Sequence, residues 1–388
     1  MSKFDEIFNR KNSNSFKWDY LEEKFGNNDV LPLWVADMDF KSPKIVSETL
    51  EKISSNGFFG YTFKGNEFYN SIVNWIEKRH GWKIDKSNIF TTHGVVNGLS
   101  AAINAFSDEG DKIIIQTPVY HPFYKVIETN KREIIRSPLK LKDDKYEMDF
   151  DNLNEIIDEK TKILILCNPH NPVGRVWTEQ ELKKLSDLII EKDIILLSDE
   201  IHSDLIFKPN KHTPIAKLSK EISEKTITFM APSKTFNLPG LETSYAIIEN
   251  ENYADKFNEV LNSWSITGNN IYGIFGTQTA YSYCESWLEE LLDYIYGNYI
   301  YLKDFFSSKI PEIKTYPLEG TYLMWINCKS LNMTNDELDN FFIEKVKVGL
   351  NPGYIFGKEG EGFQRINIAC PRKYLEYFAN NFYGALQK

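Results

Sequence analysis

One alternation constrains this chain more than any other feature. Between about residues 85 and 250, short apolar and β-branched runs recur at 113–116, 163–167, 194–198, 227–230 and 244–248, with longer stretches between them. The stretch TEQELKKLSDLIIEKD, between two of these runs, has helical spacing. Thr178 can cap it with Glu181 three residues on, and Leu182, Leu185, Leu188 and Ile189 then share one face. Strands that are apolar throughout are buried on both sides, so the pattern predicts a mostly parallel sheet covered by helices, an α/β fold. Ligands in such sheets collect beyond the carboxyl ends of the strands. Asn171, Asp199 and Lys234 each follow shortly after one of the runs.

With 388 residues the chain exceeds the usual size of one core. Past about residue 285 the pattern changes to long helix-like stretches (288–310, 335–347) mixed with strand-like TYLMWINC and FQRINIAC. The expected division is an N-terminal arm with part of a small domain (1–45), a large domain (46–285) and a smaller α+β domain (286–388). The segment LPLWVADMDF is punctuated by Pro and Asp. It is expected either to pack back on the body or to reach a neighbouring molecule.

The formal charge of −10 and the absence of a basic stripe argue against a nucleic-acid partner. No run approaches 18 apolar residues, so no membrane span is expected. The polar start MSKFDEIFNRKNSNSFKWDY lacks the apolar core of a signal peptide. Cys167, Cys284, Cys328 and Cys370 are far apart, and the six histidines form no HExxH. Reduced thiols in a cytoplasmic protein, with no bound metal, are expected.

Several residues invite a chemical reading. In APSKTFNLPG, Lys234 has small and apolar neighbours and no carboxylate until Glu242. A solvated loop lysine and a lysine that forms a covalent bond both fit. Asp199, in LLSDEIHSDL, ends a buried run and must be solvated or paired. A helix cap, a local salt bridge or a partner for a protonated cofactor ring nitrogen would each serve. CNPHNPVGRVWT is a sharp turn that sets Asn171 where its side chain could reach a ligand oxygen. TTHGVVNGLSAAINAF reads as a strand, a small-residue turn and an apolar helix, the way a helix N-terminus is offered to an anion. TPVYHPF places Tyr120 on a stiff loop, suited to stacking on a flat ring or to ordinary packing. Arg365, in GFQRINIACPR, has the planar fork that suits a carboxylate, or is a surface arginine in an ion pair.

Taken in this order along an α/β chain, these features resemble the fold-type I pyridoxal-phosphate enzymes of the class I/II aminotransferase superfamily. PLWVADMDF, FGYT, GVV, PVYHPF, CNPHNPVGRVW, SDEIHSD, PSKTFNLPGLETSYAII and RINIACPR resemble its cystathionine β-lyase branch, the carbon–sulfur lyases often called the MalY/PatB family. The resemblance covers about residues 30 to 375. It implies pyridoxal 5'-phosphate as cofactor, bonded covalently to Lys234, with Asp199 on the pyridine nitrogen, Asn171 on the phenolic oxygen and Tyr120 stacked on the ring. It places the phosphate on the amides of Gly94, Val95 and Val96 and on the Ser233 hydroxyl. Tyr61 would reach the phosphate in the neighbouring subunit's site, which makes the active form a homodimer. Arg365 would grip the substrate α-carboxylate, with the backbone of Ala36 and with Asn171 beside it.

The chain departs from the wider aminotransferase pattern at three positions. Glu242 stands where many relatives carry a phosphate-binding arginine, Ala231 where many have a serine, and His202 where a tyrosine often bonds the phenolic oxygen. His202 is either a partner of the cofactor oxygen or a satisfied core histidine. Trp34, Tyr322 and Trp325 line the pocket or are ordinary packing. The function implied is a β-lyase acting on L-cystathionine and related L-cysteine S-conjugates, releasing a thiol, pyruvate and ammonia. The alternatives are an aminotransferase requiring a 2-oxo acid and a cofactor-sensing regulatory protein. The second should carry a DNA-binding appendage, and the N-terminus holds no helix-turn-helix pattern.

Overall fold

The computed structural model describes residues 2–266 and 268–387, and among them seven strands build the principal sheet. In chain order these are β1 (Ile89–Thr92), β2 (Lys112–Thr117), β3 (Glu133–Pro138), β4 (Thr161–Cys167), β5 (Ile195–Asp199), β6 (Thr226–Met230) and β7 (Ser244–Ile247). They lie side by side as β1-β7-β6-β5-β4-β2-β3. Strands β2 to β6 are paired in parallel, while β7 is antiparallel to both its neighbours. Strands β2, β4, β5, β6 and β7 match the expected runs, and every residue of β6 is buried. The edge strand β3 is not singled out by pattern, because exposed Glu133 and Arg136 bracket its half-buried isoleucines.

The helix Glu179–Glu191 forms as its spacing predicts. Glu181 N donates to Thr178 Oγ1 at 3.2 Å, Thr178 N donates back to Glu181 Oε2 at 2.8 Å, and Leu182, Leu185, Leu188 and Ile189 are buried. The helix Val95–Phe106 lies close against the sheet. A Cβ on Gly98 would fall 2.7 Å from the Phe229 ring, so glycine lets helix and strand approach there.

A second, antiparallel sheet holds β8 (Lys314–Thr315), β9 (Leu323–Asn327), β10 (Asn351–Pro352) and β11 (Phe363–Asn367), in the order β8-β9-β11-β10. The helices Glu285–Lys309 and Arg372–Leu386 contribute to its core. The helix expected over 335–347 is α-helical only for Asn335–Asn340. It widens to a π-helical turn at Phe341–Val346 and stops at Lys347, which has φ 61°. The N-terminal segment packs back on the body, with Leu31–Pro32 paired in parallel with Val348–Gly349. Trp325 is core packing, its ring stacked on Phe363 at 5.0 Å.

The turn after β4 is pinned from below by a buried ion pair. Arg175 Nε donates to Glu319 Oε2 at 2.8 Å, the same oxygen accepts from Val176 N at 2.9 Å, and Arg175 Nη2 meets Glu181 Oε2 at 2.9 Å. Glu319→Ala would leave much of a buried guanidinium charge uncompensated. Its expected cost is about 3 kcal/mol, read as a lower urea midpoint with unchanged slope.

Candidate active site

The carboxyl ends of β4, β5 and β6 open into a cavity of about 200 Å3. Gly94, Val95, Val96, Tyr120, Asn171, Asp199, His202, Ser233, Lys234 and Ala36 line it together. These segments are up to about two hundred residues apart in sequence, and strand order brings them together.

Each side chain is set by its element. Asp199 is the last residue of β5 and is buried. Its Oδ1 accepts from Ile201 N at 3.1 Å, so it also serves as a local turn acceptor. Burial raises its pKa to about 7, against the lowering effects of the Ile201 amide and Lys234. Lys234 lies in the single turn Pro232–Thr235, half-buried at the cavity wall. It forms no salt bridge among the described residues; its Nζ donates to the carbonyl oxygen of Ala36 at 2.8 Å. Burial pushes its pKa down to about 8; Asp37 and Asp199 pull upward and Arg365 downward.

Gly94 has φ 94°, a conformation that favours glycine, and it opens the twelve-residue helix Val95–Phe106 onto the cavity. The first amides of that helix have no intrahelical acceptor, so they present donors and a partial positive charge. Tyr120 lies on the opposite wall, and burial raises its hydroxyl pKa to about 12. Arg365, on β11, is buried rather than on the surface. Its Nη1 donates to Asn171 Oδ1 at 3.0 Å, its Nη2 donates to the Trp34 carbonyl at 2.9 Å, and Nε has no partner among the described residues.

The histidine at position 202 is buried, its ring packed edge-on to Tyr322 at 5.9 Å. Nδ1 has no hydrogen-bond partner among the described residues. Burial, with Lys234 and Arg365 nearby, lowers its pKa to about 3, which keeps the ring neutral at physiological pH. Arg365 is not itself a lining residue, although it bonds Asn171, which is, and neither is Tyr61. The Tyr61 ring is fully exposed, as are most of the rings of Phe58, Phe59 and Phe63 around it. Trp34 and Trp325 are not among the lining residues, and the Trp34 indole donates to the Lys17 carbonyl at 3.2 Å.

A model of the family described as aminotransferase class I and II matches residues 28–382. The chain belongs to the class I and II aminotransferase family. Among its curated relatives, the chain is 40% identical over 368 residues to cystathionine beta-lyase PatB of Bacillus subtilis (strain 168), with 95% of each chain covered. Its fold is similar to that of cystalysin from Treponema denticola, a structure containing pyridoxal 5'-phosphate, with a TM-score of 0.96 and 38% identity over 99% of this chain and 98% of that one. It is likewise similar to the pyridoxal-phosphate-bound C-S lyase from Staphylococcus hominis, with a TM-score of 0.91 and 33% identity over 99% of each chain.

The cavity of this class I and II aminotransferase family member also holds a group that sequence reading passed over. Asn97 lines the cavity, and its buried Oδ1 has no partner among the described residues. A polar residue in the first turn of an otherwise apolar helix was the available signal. Tyr322 donates to the Ala36 carbonyl at 2.8 Å, the oxygen that also accepts from Lys234. That shared contact joins residues almost three hundred positions apart and has no local signature. Among the described residues no His, Cys, Asp or Glu group is arranged to hold a metal, and no helix is long and apolar enough to cross a membrane.

Proposed function

We propose that this chain is a pyridoxal-phosphate-dependent carbon–sulfur β-lyase, cleaving L-cystathionine and related L-cysteine S-conjugates with water to a thiol, pyruvate and ammonia. One observation carries the reading. A single cavity joins a buried carboxylate that has no cation in contact, an amine of lowered pKa and the open N-terminus of a helix. These match a pyridinium nitrogen, an aldehyde and a phosphate. The partnerless polar atoms of Asn97, His202 and Arg365 fit the same conclusion, since buried polar groups normally have partners and these are ready for a ligand.

When bound, pyridoxal phosphate supplies an electron sink for the pair released at the substrate Cα. Everything else falls to residues of the chain. Asp199 holds the proton on the ring nitrogen. Gly94, Val95, Val96 and Ser233 hold the phosphate. Tyr120 stacks on the ring, and Asn171 and neutral His202 face its oxygen. Lys234 would hold the aldehyde end of the cofactor and, as a free base, would take the proton from the substrate Cα. Its pKa of about 8 leaves a useful fraction of free amine near neutral pH. Arg365 grips the α-carboxylate beside the Ala36 backbone, and Tyr120 assists departure of the sulfur from Cβ.

The same reading makes the enzyme a cytoplasmic homodimer, with the domain division 1–45, 46–285 and 286–388. Four exposed aromatics within six residues, Phe58, Phe59, Tyr61 and Phe63, support an interface at that segment. Tyr61 then reaches the phosphate in the partner's cavity. Tyr61→Phe is expected to weaken cofactor retention about tenfold or more, the loss of a hydrogen bond to a charged group. Purified heterodimers of Tyr61→Phe with a Lys234 variant should regain part of the activity, and no recovery would oppose shared sites.

The deciding assay supplies L-cystathionine and pyridoxal phosphate without any 2-oxo acid, and follows pyruvate and free thiol together. Equal amounts over many turnovers support the lyase. A single-turnover shift to a pyridoxamine-like absorbance, with neither product, would give the site to transamination.

A further inference from the structure

A partly buried charge network lies beside Ala36, on the residues that follow it. Arg10 Nη2 meets Asp37 Oδ2 at 2.9 Å, and its Nη1 meets Asp39 Oδ1 at 2.9 Å and the Met38 carbonyl at 3.0 Å. Lys17 is fully buried, with Nζ 2.7 Å from Asp39 Oδ2 and 3.1 Å from the Asp37 carbonyl. Trp18 Nε1 donates to Asp39 at 2.7 Å, and Asn367 Nδ2 donates to the carbonyls of Val35 and Asp37 at 2.6 Å each. Two cations and two carboxylates thus fix the backbone that follows Ala36, and Asn367 ties it down on both sides. Both cations come from the segment before residue 28, where the family match begins.

Such a network is a poor way to gain stability, because each buried ion loses its hydration and apolar residues would serve as well. What it does gain is placement. The oxygen it fixes is the one that accepts from Lys234 Nζ and Tyr322 Oη, both at 2.8 Å. It also sets a charge balance, since Asp37 adjoins Ala36 and its negative charge acts on Lys234.

We propose that Arg10 and Lys17 are positioning residues for Lys234: they hold the Ala36 carbonyl against its amine, and they compensate the Asp37 carboxylate so that the amine is not locked in its charged form. The inference rests on Lys234 being the reactive amine of the proposed reaction. The other groups facing Lys234 are Asp199, Arg365, His202, Tyr120, Tyr322 and Glu242. None of them lies on the 10–19 segment, so variants there change one side of the balance alone.

Loosening and charge make opposite demands on a pair of variants. Arg10→Met uncovers the Asp37 charge and should raise the pKa of the Lys234 amine by about one unit. Asp37→Asn removes the charge and should lower it by about as much. If the network were only a structural prop, both variants would admit water to Lys234 and both would move its pKa upward. The measurement is made on cofactor-free full-length protein. The pH dependence of Lys234 methylation by formaldehyde and a borohydride is read by peptide mass spectrometry, with folding checked by circular dichroism. Opposite shifts, with Arg10→Lys close to the parent protein, support the proposal. An unchanged pKa in both variants, or shifts of the same sign, overturns it. Should Arg10→Met fail to fold, Asp37→Asn decides alone, and an unchanged or raised pKa overturns the proposal. Because neither cofactor nor turnover is read, a failure of the lyase reading would show in the cystathionine assay and not here.

Discussion

Lys234→Ala is expected to lower turnover of L-cystathionine by more than about 10^4-fold, the largest effect of any single substitution in this protein. In the proposed function the residue combines two roles, covalent attachment of the cofactor and abstraction of the Cα proton, and a positioned base alone contributes about 10^2 to 10^4-fold. No neighbour can replace it. His202 is neutral with its pKa lowered to about 3, and burial raises the Tyr120 hydroxyl to about 12. Treating the protein with pyridoxal phosphate and then borohydride should add the cofactor mass to the peptide containing Lys234 in the parent and to no peptide in the variant. A variant that retained a borohydride-fixed cofactor elsewhere and kept turning over would remove Lys234 from the chemistry.

Asp199→Ala is expected to lower turnover by about 10^2 to 10^4-fold while some cofactor still binds, since the phosphate and stacking contacts remain. Near-normal turnover would end the ring-nitrogen role. The same carboxylate gives a second signature in protein without cofactor. Its folded pKa is raised by burial from the ordinary 3.8 to about 7. The folded state therefore holds this proton more tightly than the unfolded chain does. The contribution to stability is complete below about pH 4 and is lost as pH rises through about 7. Asp199→Asn, which cannot ionise, should then be more stable than the parent at pH 8 by on the order of 3 kcal/mol and equal to it near pH 4. Added pyridoxal phosphate should close the gap at pH 8, because the cation it brings is one that only the aspartate can pair with. Thermal melts at the two pH values, with and without cofactor, check all four corners. Equal melting temperatures at pH 8 without cofactor would mean that the carboxylate is not strained by burial.

The parallel sheet was legible because its strands are apolar throughout and its helix 179–191 carries its own cap. Asn171, Asp199 and Lys234 were legible as a group because strand ends in such sheets face one side. The antiparallel direction of β7 was not, since Ser244–Ile247 is as uniformly buried as the adjacent strand β6 and burial alone does not encode direction. The fate of LPLWVADMDF was open for a related reason. Its Pro and Asp residues exclude a helix core, but its partners at Val348–Gly349 and in the Arg10 and Lys17 side chains are set by tertiary contacts. For His202 the sequence left two readings, because a buried imidazole next to a pocket serves either one and only its spatial neighbours distinguish them.

One short piece of backbone sets a fixed gauge within the pocket. The Trp34 carbonyl holds Arg365, and the Ala36 carbonyl, two residues on, holds Lys234. Two residues of chain span at most about 7 Å, so the distance between the two anchoring oxygens is bounded by covalent geometry rather than by side-chain packing. A substrate's α-carboxylate and Cα are likewise a constant distance apart in every amino acid. With the proposed roles of Arg365 and Lys234, the pocket would measure the invariant part of its substrates with the least deformable part of the protein. Variation among S-conjugates must be absorbed by the walls beyond Cβ, where side chains can be exchanged without disturbing the gauge.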